Sequence, residues 1–175
     1  MKHIIKTERY LLRPIVDQDI DFIHEALSDP TVTKHYGVHF NTLEETKEQM
    51  IWYSNLINEK SGIWWCIEDL ALKELVGAGG YNDLVKEIGK AEIGFWVLPN
   101  YWGQGVMQEC FPAIVDYGLN ALGLSRIEGF VESNNDACKR AMSKTNFVLE
   151  DTFEEFDKRK QARVQIDLYS IEKKG

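Results

Sequence analysis

No segment of this sequence is apolar for long enough to form a membrane-spanning helix, so no membrane partner is expected. The start, Met1 to Arg13, mixes Lys2, Lys6, Glu8 and Arg9 with short apolar pairs. It lacks the continuous apolar stretch of a secretory leader, and none is expected. Cysteine is scarce: Cys66, Cys110 and Cys138 are far apart and odd in number, and no CxxC pair occurs. That pattern reads as reduced thiols in a cytoplasmic protein. Positive charge is also short. The formal net charge is −8, and the one basic block, Lys158-Arg159-Lys160, reads as a turn, so no nucleic-acid partner is expected. The acidic balance favours a cationic partner or simply keeps the protein soluble. His35 and His39 have a suggestive spacing, but Gly37 interrupts any helix between them and no carboxylate pattern completes a set, so no metal is expected. Low-complexity linkers, internal repeats and composition shifts are absent, and residues 1–175 read as one domain.

What is present alternates between strand and helix patterns. Tyr10 to Ile15 reads as a strand, closed by Pro14 and a turn. Asp17 is expected to cap a helix with Ile20, Ile23 and Leu27 on one face, ended by Asp29-Pro30. Thr42 and Glu45 form a capping-box pattern before a second helix, whose apolar stripe reads Met50, Tyr53 and Ile57, with Gly62 past its end. Strands are expected over Ile63–Asp69, Leu75–Tyr81 and Ala91–Leu98. In the last of these, alternation sets Ala91, Ile93, Phe95 and Val97 against Glu92, Gly94, Trp96 and Leu98. Adjacent Trp64 and Trp65 must face opposite ways, one in the core and the other more exposed; with Trp52 they are candidates for lining an acceptor pocket. A helix starting near Gly105 follows from Met107, Cys110, Phe111, Ile114, Val115, Gly118, Leu119 and Leu122, with Pro112 expected to disturb its ladder and Gly123 to end it. Ile127–Val131 reads as a strand, Asn135–Lys144 as a helix, and Phe147–Phe156 with Ala162–Ile171 as a closing hairpin whose free edge offers a homodimer contact. The class is mixed α/β, with parallel pairing only where a helix joins two strands.

The segment Asn100-Tyr101-Trp102-Gly103-Gln104-Gly105-Val106-Met107 joins the strongest strand to the most amphipathic helix. Glycines remove side chains, so successive backbone N–H groups can converge on a phosphate, and the helix start adds unpaired donors and the positive end of its dipole. No Gly-Lys-Ser/Thr follows, and a third glycine is missing, so neither a nucleotide P-loop nor a dinucleotide fingerprint is present.

This arrangement resembles the GNAT superfamily of N-acetyltransferases, and within it the RimJ/RimL-like branch that includes ribosomal-protein N-terminal acetyltransferases. The likeness runs through Thr7 to Pro14, Ser28-Asp29-Pro30, Ala91 to Val97, Trp102 to Met107, Ser125 to Glu128, and Asn135 to Cys138 with Asn146-Phe147, in that order. Trp102 stands where the family has Gln or Arg, Met107 where it has a small residue, Cys138 where the branch has serine, and Asn146 where it has glycine. Asparagine is the side-chain-bearing residue that best tolerates the left-handed backbone a glycine supplies.

The resemblance implies a GNAT-like three-layer fold: a central, mostly antiparallel mixed sheet with a splayed parallel strand pair, flanked by helices. It also implies acetyl-coenzyme A (coenzyme A after transfer) as cosubstrate. The acceptor is then a primary amine, either a protein N-terminus such as that of a ribosomal protein or a small molecule. The pyrophosphate falls to Trp102, Gly103, Gln104, Gly105, Val106 and Met107, and the pantetheine arm to Phe95, Trp96 and Val97, with Asn135 beside it. Lys139 and Arg140 are candidates for the coenzyme's 3′-phosphate by charge attraction. Glu92 is the candidate general base, a carboxylate inside an apolar strand; a surface or ion-paired glutamate is the alternative. The tyrosine many members carry four residues after the Cys138 position is here Met142. The group that protonates the leaving thiolate is then Cys138 or water; Cys138 otherwise contacts the coenzyme or fills the core. A coenzyme-binding module without catalysis stands as the rival reading.

Overall fold

The computed structural model describes residues 3–175; Met1 and Lys2, the first residues of the segment read for a leader, lie outside the described residues. Eight strands form one sheet in the order β1-β2-β3-β4-β5-β6-β8-β7. They are β1 (Ile5–Lys6), β2 (Tyr10–Pro14), β3 (Ile63–Asp69), β4 (Glu74–Val85), β5 (Lys90–Val97), β6 (Arg126–Glu132), β7 (Val148–Asp157) and β8 (Ala162–Glu172). The helices are α1 (Ile20–Leu27), α2 (Pro30–Thr33), α3 (Leu43–Glu59), α4 (Val106–Asn120) and α5 (Asp136–Lys144). Every strand pair is antiparallel except β5 with β6, which α4 links. That parallel ladder runs only from Lys90–Arg126 to Glu92–Glu128, although β5 continues to Val97 and β6 to Glu132. Beyond Glu92 the two strands part.

The sheet carries a core on each face. One face holds Trp65, Tyr81, Ile93, Phe111, Ile114 and Ile127. The other holds Ile23, Leu27, Met50, Tyr53, Trp64 and Trp96 beneath α1 and α3. Period-two alternation sorts β5 between them as read from sequence: Ala91 and Ile93 join the first core, Trp96 and Leu98 the second. Burying a side chain such as Phe111 or Ile114 contributes about 1.5–3 kcal/mol, which fixes α4 against β4 and β5. No helix of the described residues is long and apolar enough to cross a membrane.

Several local expectations are corrected. Asp17 does not cap the first helix. A 3₁₀ turn, Asp17–Asp19, precedes α1, and it is Asp19 that accepts the Val16 N–H at 2.8 Å while Arg13 grips it with two bonds of 2.8 Å. Asp29 both follows α1 and caps the short α2, accepting the Thr31 N–H at 2.9 Å. In α3, Thr42 caps Glu45 N–H at 3.1 Å, but the Glu45 carboxylate reaches back to the Asn41 N–H. The buried stripe of α3 uses Leu56, leaving Ile57 exposed, and Lys60, not a glycine, adopts the left-handed stop at φ 59°. Trp64 and Trp65 do face opposite ways, yet both are buried, one in each core. Other expectations hold: Pro112 lies inside α4, and Asn146 adopts the left-handed backbone expected of it, at φ 66°.

Candidate active site

Beyond the point where β5 leaves β6, a cavity of about 500 Å³ opens beside β5, walled by the start of α4, by α5 and by α2 with the residues that follow it. Its walls include Phe95, Trp96 and Val97 from β5, Trp102, Gly103, Gly105, Val106 and Met107 from the glycine loop, and Asn135, Cys138 and Arg140 from α5. The structure therefore brings together most of the residues singled out from sequence. Gln104 and Lys139 do not line it: the Gln104 amide donates to Asn100 O at 3.0 Å, and Lys139 Nζ donates to Ser133 O at 3.0 Å and pairs with Asp167 at 3.4 Å. Lys144, one turn along α5 from Arg140, lines the wall instead. Helical spacing could have found it, because residues four apart share a face.

The glycine loop has the geometry of an anion cradle. Gly103 and Gly105 hold φ of 74° and 81°. A Cβ on Gly103 would meet nothing within 4 Å, which leaves the space in front of its amide free. Among the described residues, no backbone carbonyl takes a hydrogen bond from the N–H of Gly103, Gln104, Gly105, Val106 or Met107. Five unpartnered donors ahead of a 15-residue helix form the surface that a diphosphate needs. The loop is braced from behind: Arg9 Nη1 donates to Gln104 O at 3.0 Å while Arg9 Nε pairs with Glu109 at 2.7 Å. The indole of Trp102 donates to Val97 O at 2.8 Å, tying the loop to the end of β5.

Glu92 stands at the root of the parting, opposite Asn82 on β4 and Glu128 on β6, and lies outside the cavity's lining. Burial, then the charge of Asp83 and a hydrogen bond with it, push its carboxyl up to about 7. Glu128 has cations of its own, Lys90 at 3.1 Å and Arg126 at 3.0 Å, whereas no Lys or Arg among the described residues pairs with Glu92. A half-buried carboxyl so placed exchanges its proton near neutrality. Cys138 lies one turn into α5, whose cap is Asn135: its Oδ1 accepts the Cys138 N–H at 3.3 Å. Burial pushes the Cys138 thiol up to about 11, so it stays protonated at neutral pH. Met142 is buried in the core and packs towards Gly129.

The far end of the cavity is built by Thr31, Val32 and Tyr36, which the sequence did not single out, and by His35, which it raised only as a metal ligand. His35 Nδ1 pairs with the buried Glu132 at 3.1 Å, Lys160 pairs with the same carboxylate, and His39 Nδ1 meets Thr33 Oγ1 at 2.8 Å. The two histidines thus have separate protein partners. The turn Lys158 to Lys160 docks here, with Arg159 Nη2 donating to Thr33 O and Tyr36 O at 2.7 and 2.6 Å. Trp52, Trp64 and Trp65 do not line the cavity.

Residues 9–148 match the family model described as acetyltransferase (GNAT) domain. The sequence is 34% identical over 171 residues to an uncharacterized N-acetyltransferase, YoaA, of Bacillus subtilis (strain 168), covering 97% of each chain. The fold superposes on the spermidine N-acetyltransferase of Vibrio cholerae in complex with CoA and spermine with a TM-score of 0.84, 20% identity, and coverage of 95% of this chain and 96% of that one. It also superposes on a Salmonella typhimurium acetyl transferase that modifies the N-terminal serine of ribosomal protein L7/L12, with a TM-score of 0.87, 16% identity, and coverage of 98% and 100%. At these identities the two structural likenesses are likenesses of fold.

Proposed function

The chain belongs to the GNAT acetyltransferase family, and from that premise we propose that it moves an acetyl group from acetyl-coenzyme A directly to a primary amine. The observation that carries this reading is the cavity beside β5 beyond its parting from β6, with five backbone amides at the loop and helix start that have no carbonyl partner among the described residues. A pyrophosphate at Gly103 to Met107 sends the pantetheine arm along Phe95, Trp96 and Val97, past Asn135 and Cys138. Arg140 and Lys144 supply positive charge on α5 for the coenzyme's remaining phosphate.

Transfer needs a neutral amine, a stabilised thioester oxygen and a protonated leaving sulfur. Glu92 takes the amine's proton, through a water where the distance requires it. A backbone N–H of β5 that lost its ladder partner where the strands part donates to the thioester oxygen. The amine's lone pair forms the new N–C bond, the C–S bond breaks, and the Cys138 thiol or a water gives the sulfur its proton. The acceptor is a protein N-terminus, as of a ribosomal protein, or a small amine; the structural neighbours include one enzyme of each kind. We also take residues 1–175 to act as one cytoplasmic domain that pairs through the outer edge of β7, the last strand of the sheet.

The test is release of free thiol from acetyl-coenzyme A with a panel of N-terminal peptides, polyamines and aminoglycosides. Turnover with a member of the panel supports the proposal. Tight coenzyme binding with silence across the panel favours the non-catalytic module instead.

A further inference from the structure

We propose that the Tyr36 hydroxyl is the acceptor-side contact of the reacting amine, holding its nitrogen across from Glu92. This rests on the acetyl-transfer reading above and adds to it the residue that receives the acceptor. The starting point is Gly94, which lies two residues beyond Glu92 on the same face of β5. A Cβ on Gly94 would stand 2.5 Å from the Trp64 ring and 3.6 Å from Tyr36 Oη. The missing side chain therefore admits the indole and lets the phenol reach the strand. Residues two apart along a strand are separated by about 6.6 Å. The phenol oxygen thus lies beside the strand position one face-step from Glu92, near enough for that carboxyl to bear on its ionisation, and an amine nitrogen entering there lies between the two groups.

Tyr36 is fixed from three directions. Its ring meets Trp64 edge-on, with centroids 6.5 Å apart and planes at 89°. Its backbone oxygen accepts from Arg159 at 2.6 Å, and its N–H donates to Thr33 O at 2.9 Å. Its neighbour His35 is tied to Glu132. The hydroxyl itself, by contrast, has no hydrogen-bond partner among the described residues, and the side chain lines the cavity. A phenol held this firmly, on a residue that lines the cavity and with its oxygen unpaired beside Gly94, has its partner in what enters the cavity. Burial, with the nearby Tyr53 and Glu92, raises its ionisation well above the usual phenol range. It stays neutral, so its oxygen accepts one N–H of the amine while Glu92 takes the proton released in transfer. A primary amine supplies both hydrogens.

The test is Tyr36→Phe, which keeps the ring against Trp64 and removes only the oxygen. Thiol release is followed with spermidine and with a serine-initiated hexapeptide, and coenzyme A affinity is measured by calorimetry. The expected result is a fall of about 10- to 100-fold in kcat/KM, the size of a lost hydrogen bond to a charged or reacting group. Coenzyme affinity is unchanged. Wild-type kcat/KM in Tyr36→Phe overturns the assignment, as does a parallel loss of coenzyme affinity, which marks a structural role. A wild-type enzyme that binds coenzyme yet turns over neither acceptor counts against the transfer reading itself, and this proposal falls with it.

Discussion

Gly105 and Arg9 occupy each other's space: a Cβ on Gly105 would lie 2.9 Å from Arg9 Nη2, and Gly105 holds φ 81° at the start of α4. The same guanidinium braces Gln104 O and pairs with Glu109. The loop is thereby shaped from behind by Arg9 and left open in front at Gly103. Replacing either glycine by alanine carries the left-handed backbone penalty of about 1–2 kcal/mol. Gly105→Ala additionally displaces the brace. Calorimetric titration with coenzyme A is expected to show weaker binding for both variants, and the larger loss for Gly105→Ala.

The base role proposed for Glu92 predicts a pH-dependent transfer. With its carboxyl near 7, the rate is expected to rise through that pH as the base ionises. Glu92→Gln should lower kcat by about 10²- to 10⁴-fold and leave coenzyme affinity intact. Stability runs the other way. The folded-state value lies above the ordinary 4.5, so ionising Glu92 subtracts stability as pH climbs from there through about 7. Thermal melts should show Glu92→Gln gaining Tm over the wild type at pH 8 and not at pH 4.

The thiols should be slow. Burial raises Cys138 to about 11 and raises Cys66 and Cys110 further. Since the thiolate is the reactive form, alkylation of Cys138 by iodoacetamide at pH 7.5 is expected to lag behind a free cysteine by about 100-fold, the fall in thiolate fraction that a rise from 9.0 to about 11 implies. Cys138 lines the cavity and should be protected further by coenzyme A, which mass spectrometry of the labelled peptide reads directly.

Arg159 fastens the segment that carries Tyr36. Arg159→Ala removes its bonds to Thr33 O and Tyr36 O and leaves the glycine loop untouched. Its expected signature is a raised KM for the acceptor with unchanged coenzyme affinity, measured by initial rates at saturating acetyl-coenzyme A.

Local patterns carried the sequence reading where one element supplies its own signal. Alternation in β5 sorted Ile93 from Trp96, the period of α4 marked Phe111 and Ile114, and the glycine spacing marked Gly103 and Gly105. Asn146 announced its left-handed backbone by residue type. The Tyr36 end of the cavity was illegible because its parts come from distant segments. Tyr36 reaches Gly94 while its ring meets Trp64 and its carbonyl is held by Arg159, both distant in sequence. Charge marked Lys139 and Arg140, but Asp167 engages Lys139, and Lys144, which sequence marked only as the end of α5, lines the cavity with Arg140. Capping failed at Asp17 because Arg13 and the Val16 N–H both converge on Asp19.

Coenzyme binding depends most on the open amides between β5 and α4. Coenzyme A titrated into ¹⁵N-labelled protein should shift the amide resonances of Gly103, Gln104, Gly105, Val106 and Met107 together and to saturation, before those of the distant β1–β2 edge. If those five resonances stay in place at saturating coenzyme A, the loop is not a diphosphate site and the transferase reading of the cavity is wrong.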